Sequence, residues 1–82
     1  MPRFYLDIQN TQMSAKDDNG ADYADVEQAR QAAILGIREI LQEEMEDGLI
    51  DLNGEVRILD EEQKVVATVA YSQAVTIRPP QS

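Results

Sequence analysis

From Asp25 to Asp47 the chain carries one unbroken apolar repeat of helical period, and any fold it adopts must cover that stripe. At about 100° per residue, Val26, Ala29, Ala33, Ile34, Ile37, Ile40, Leu41 and Met45 share one face. Gln28, Gln31, Glu39, Gln42, Glu43 and Glu46 occupy the other. Asp25 with Gln28 three residues on has the spacing of a capping box, and Gly48 suits the left-handed position just beyond a helix end. The small Ala29 and Ala33 allow close approach to a sheet. Leu35 is the one large apolar residue on the polar side, which makes it a candidate dimer contact.

The flanking segments change to period 2. Phe4, Leu6 and Ile8 alternate with Tyr5, Asp7 and Gln9, the pattern of a half-buried strand. Asn10 turns the chain, and Thr11 to Lys16 is expected to return as a short, weak strand. Asp17-Asp18-Asn19-Gly20 reads as a turn. After the helix, Leu49, Ile50 and Leu52 form an apolar link ending in the turn-prone Asn53-Gly54. Glu55 to Asp60 alternates again, with Val56 and Ile58 against Arg57 and Leu59. Asp60-Glu61-Glu62-Gln63 has the length of a hairpin connection. Lys64 to Ser72 is apolar on both faces, which predicts a central strand. Val75 and Ile77 extend a weaker alternation. The expected fold is α+β: a small antiparallel sheet of three to four strands with one amphipathic helix on one face, in the order β-β-α-β-β. Residues 1–78 are expected to form one domain and 79–82 a frayed tail.

Composition narrows the functions open to such a chain. With 82 residues it buries only about 60% of its unfolded surface, so stability is modest and pairing with a second copy would add burial. There is no cysteine and no histidine, which removes disulfides, thiolate zinc sites and the usual nucleophile–base pairs. Neither serine next to a lysine, Ser14 near Lys16 or Ser72 after Lys64, has the spacing of a Ser-Lys motif. Carboxylate pairs are unavoidable with sixteen acids and carry no specificity. The expectation is a protein that is not an enzyme and holds no cofactor. A net charge of −9 repels nucleic acid and anionic membranes, and any charge-steered partner would be basic. No stretch has the roughly 20 apolar residues of a membrane span. Met1-Pro2-Arg3-Phe4 leads straight into strand alternation, so cytoplasmic residence is the expectation.

Calcium can be tested by spacing. With Gly20 at the invariant glycine of a calcium loop, Asp17 and Asn19 take ligand positions, but the first falls on Ala15 and the twelfth on Val26. With Gly54 there, the first position falls on Leu49, although Asp60 occupies the twelfth. Both segments therefore read as turns. The stronger anomaly is at the helix end. Glu43, Glu44, Glu46 and Asp47 crowd the last turn, where the helix dipole prefers cations, and Glu39, Glu43 and Asp47 face one another at i, i+4. Leu35, Glu39, Glu43, Glu46 and Asp47 are accordingly the candidate interaction surface.

Met1-Pro2-Arg3-Phe4-Tyr5-Leu6-Asp7-Ile8, the Asp18, Gly20 and Asp25 positions, the Ala29–Ala33 helix start and the Leu59-Asp60-Glu61 hairpin resemble a family of short uncharacterised proteobacterial proteins, a domain of unknown function. The resemblance covers nearly the whole chain and implies architecture only. The chain departs from that pattern at Leu49 to Asn53, which is more apolar. Asp25-Val26-Glu27-Gln28-Ala29 is also similar to the helix start of HicB-type antitoxins, which implies an acidic module that neutralises a basic protein. The expected function is thus a non-catalytic interaction or accessory domain, self-associating and binding a basic partner. The alternatives are an antitoxin-like module and a domain that responds to a small molecule or metal through the Asp17–Asp25 turn.

Overall fold

The computed structural model describes residues 1–81. The chain runs β1 (Arg3–Asn10), β2 (Ser14–Ala15), β3 (Ala21–Asp22), α1 (Val26–Glu46), β4 (Gly54–Leu59), β5 (Val65–Ala70) and α2 (Tyr71–Ala74). Five strands form one antiparallel sheet in the order β2-β1-β4-β5, with β3 pairing β1 beside β2. The α+β class, the hairpin and the weak second strand of the sequence reading are all present. The fifth strand, β3, has only two residues, too few for any alternation to signal it.

Helix α1 is bounded by the features its sequence supplies. Asp25 Oδ1 accepts the Gln28 N–H at 2.9 Å, but no return bond from the Gln28 side chain forms among the described residues, so only half of the capping box is made. At the other end Gly48 adopts φ +81°, with its N–H on Met45 O at 2.9 Å and the Leu49 N–H on Glu44 O at 3.3 Å. These two bonds are a Schellman motif, which satisfies carbonyls that a helix end leaves free.

The helix lies across one face of the sheet. Ala29, Ala33, Ile37 and Leu41 are buried against Phe4, Val56, Ile58 and Val69. Each large side chain fully buried in this way contributes about 1.5–3 kcal/mol. Met45, assigned to the apolar stripe, is instead mostly exposed.

The last strand departs from the sequence reading in two respects. β5 is an edge strand, not a central one, since only β4 pairs with it. Apolarity on both faces does not decide neighbours: the helix covers one face only, and Val65 and Val66 remain 48% and 39% exposed. The strand also ends at Ala70. Tyr71 turns into the core as the first residue of a one-turn helix, fully buried, and its hydroxyl accepts the Asn10 Nδ2 at 3.1 Å. Val75 and Ile77 continue no strand. That segment is held along α1 by Arg38 Nε, which donates to Ala74 O at 2.7 Å.

The hairpin between β4 and β5 is organised by Asp60. Its Oδ1 accepts the N–H groups of Glu62 at 2.9 Å and Lys64 at 3.0 Å, and Gln63 sits at φ +64°. A glycine is the usual occupant of such a left-handed position.

Candidate interaction surface

The five candidate residues divide into a line and its end. Leu35 is two residues from both buried Ala33 and buried Ile37, about 200° round the helix, so it points directly away from the core. It is 58% exposed. Glu39, Glu43 and Glu46 follow it along the same solvent face, all exposed. Asp47 lies at the C-cap, its N–H on Glu44 O at 3.0 Å, so it closes the helix as well as adding charge.

Charge on this face is uncompensated. Among the described residues the ion pairs are Arg3–Asp22 at 3.3 Å, Arg30–Glu27 at 3.3 Å and Arg57–Glu55 at 2.6 Å. None includes Glu39, Glu43, Glu44, Glu46 or Asp47, and the last turn of α1 holds no basic residue. Arg57, on the hairpin, is committed to Glu55.

Two apolar grooves flank this helix, and sequence reasoning identified neither. One, of about 260 Å³, lies between α1 and β1, lined by Leu6 and Ile8 on one side and Ala32, Gly36 and Ile40 on the other, with Glu39 on its rim. The other, of about 330 Å³, is lined by Leu41, Met45, Ile50, Val75 and Ile77. Its signal was present in the sequence, as the apolar link after the helix and the alternation of Val75 and Ile77 that no strand absorbed.

A polar cleft of about 340 Å³ opens at the far end of the sheet between Gln9, Asn10, Thr11, Asn53, Glu55 and Arg57. Beside it, the Asn53 backbone N–H, followed by the Thr11 hydroxyl and the Asn53 side chain, holds the Asp51 carboxyl below its ordinary value.

The Asp17–Asp25 turn is built as a bracket. Asp17 Oδ2 accepts the Leu6 N–H at 3.1 Å and Oδ1 accepts the Gly20 N–H at 2.9 Å, while the Asp17 N–H donates to Asp7 Oδ1 at 2.9 Å. Leu6 stands in the gap on β1 between the residues that pair with β3 and those that pair with β2. The carboxylate therefore fills a missing rung of the sheet. Gly20, at φ +67°, has no room for a side chain: a Cβ would meet Phe4 O at 2.8 Å. Among the described residues no group of three or more His, Cys, Asp or Glu comes together as a metal site, and no helix is long and apolar enough to cross a membrane.

No curated protein and no solved structure matches the chain. A family model does, over residues 3–72, which run from the first residue of β1 into α2 and so include the whole sheet and the acidic helix. The chain therefore belongs to the family defined by the domain of unknown function DUF6894.

Proposed function

We propose that this protein is a non-catalytic, cytoplasmic interaction domain whose solvent-facing helix surface, Leu35 with Glu39, Glu43 and Glu46, binds a basic protein partner. The observation that carries the reading is the uncompensated charge of that face. Glu39, Glu43, Glu46 and Asp47 have no ion-pair partner among the described residues, and those nearest the helix end oppose the helix dipole. Local rules broken without a gain in the free protein are characteristic of functional sites, which supports a partner for this face. Leu35 supplies the apolar anchor and the carboxylates supply steering and register. An antitoxin-like role is a special case, with a basic toxin as the partner.

Self-association belongs to the same proposal, but not through this face, where a twofold contact would set Glu39, Glu43 and Glu46 against their own copies. The reading of the Asp17–Asp25 turn as a metal- or ligand-responsive site receives no support from Asp17, whose two carboxylate oxygens both face backbone N–H donors.

Affinity capture from native cytosol tests the reading. The parent and a Glu39→Lys/Glu43→Lys variant are compared at low and high salt, with mass spectrometry of what is retained. Proteins of high isoelectric point should be held by the parent, released by salt and lost with the variant. Identical capture by both forms would sink the proposal.

A further inference from the structure

The two edges of the sheet are finished differently. On the β1 side, β2 and β3 cover the ends of the strand and Asp17 occupies the gap at Leu6. Among the described residues the β5 side has no such cover. At the end of the strand the Ala70 N–H donates to Gln73 Oε1 at 2.8 Å. Because Ala70 is satisfied by Gln73, alternation along the ladder turns the N–H and C=O of Thr68, two residues earlier, toward the open edge. Natural edges are normally blunted by charge or proline. No charged residue and no proline occurs from Val65 to Ile77, in a chain where 28% of residues are charged.

We infer that the open edge of β5 is a self-association surface, on which a second copy adds antiparallel about a twofold axis at Thr68 and extends the sheet.

Charge selects this occupant. Each copy carries −9, so two copies repel at most orientations, and contact requires a neutral patch on both. The uncharged run from Val65 to Ile77 provides it. An antiparallel strand edge is its own complement, as a twofold contact demands. With Thr68 on the axis, Ala67 falls opposite Val69 of the second copy and Val66 opposite its Ala70. Lys64, the flanking charge, falls opposite Ser72, so no like charges meet. The exposed Val66 gains an apolar neighbour in Ala70 of the second copy, which gives its exposure in the monomer a reason.

The ladder is short. The β4–β5 pairing places Ile58 opposite Ala67 and Leu59 opposite Val65, so Val66 forms a bulge at one end of the edge. Gln73 occupies the other end. The dimer should therefore be weak and strengthened by salt, since screening removes the repulsion while leaving neutral strand pairing intact. This inference gives a surface to the self-association proposed above. It is independent of the acidic helix face, so the two proposals fail separately.

Sedimentation equilibrium of the full chain from about 10 µM to about 1 mM, at low and at about 0.5 M NaCl, reads the association. The average mass should rise from 9.2 kDa toward twice that value, and at lower concentration in high salt. Val66→Lys places a charge on the open edge at an already exposed position and should weaken the association at least tenfold with an unchanged melting temperature. Thr68→Pro removes the outward N–H and should do the same, while Leu35→Ala should leave the association as in the parent. Amide shifts that change with concentration should cluster at Val65 to Ala70. A parent that stays monomeric throughout at both salts overturns the inference. So does association that Val66→Lys leaves intact, or that Leu35→Ala abolishes.

Discussion

Replacing Asp17 by alanine should remove two bonds to backbone amides, from Leu6 at 3.1 Å and from Gly20 at 2.9 Å. A hydrogen bond to a charged group contributes about 1.5–3 kcal/mol. Asp17 is only half buried and sits at the sheet edge, so water replaces part of each bond. The expected loss is about 2–3 kcal/mol, below the sum of two full contributions. A domain of this length is stable by roughly 4–12 kcal/mol, at about 0.05–0.15 kcal/mol per residue. The substitution thus removes a large share of the total. Asp17→Asn should cost less, because the amide keeps one acceptor oxygen while turning an NH2 toward a second N–H donor. Urea melts of the parent and both variants, in millimolar calcium and in chelator at matched ionic strength, measure this directly. The losses should be the same with and without calcium. If calcium stabilises the parent saturably, and Asp17→Asn abolishes that increment without changing the melt in chelator, the turn is a ligand set and the bracket argument is wrong.

Four further outcomes follow from the packing. Ile37→Ala should cost about 2–5 kcal/mol, because Ile37 is fully buried between helix and sheet, whereas Glu39→Ala should stay within about 0.5 kcal/mol; equal urea midpoints for the two would place the helix in the wrong phase. Glu43→Lys should stabilise by about 0.3–1 kcal/mol at low ionic strength, with the gain shrinking in 1 M salt, and a loss at low salt would reveal a folded-state partner for the cluster. Gly36→Ala should stabilise by about 0.5–1 kcal/mol, since Gly36 is helical and a Cβ there meets nothing within 4 Å; a lower melting temperature would contradict that open space. Asp51 titrates below its ordinary 3.8 in the folded chain, so its contribution is present above that value and lost as pH falls through the folded one. Asp51→Ala should therefore lose less stability than the parent between about pH 4.5 and about pH 3, and parallel acid arms would refute the assignment.

The helix α1, the strands β1 and β4 and the β4–β5 hairpin were legible in the amino-acid sequence because their signals are local, whereas β3 and α2 were not. The apolar stripe, Asp25 and Gly48 define α1, and the alternations at Phe4–Ile8 and Val56–Ile58 define the two strands that pair at the centre of the sheet. The Asp60 turn defines the hairpin, since its hydrogen bonds span only a few residues. The line from Leu35 to Glu46 was likewise readable, because helical spacing alone places those residues together.

Only the tertiary structure decided what depends on pairing and coverage. β5 is as apolar as a central strand, yet it lies at the edge because strand order is a choice among partners distant in the chain. Burial of Tyr71 follows its alternation with Val69, but its place in a helical turn depends on Asn10 and Gly54, far earlier in the sequence; a Cβ at Gly54 would meet the Tyr71 ring at 2.9 Å. Asp17 reads as a turn residue, and only the gap at Leu6 makes it part of the sheet. The two grooves bring together residues distant in the chain, Leu6 and Ile8 with the middle of α1 in one and the end of α1 with Ile50, Val75 and Ile77 in the other. Local pattern determines which residues form a helix or a strand and which of their faces is apolar. What covers that face, and which edge stays open, is settled by long-range contacts that no short segment encodes.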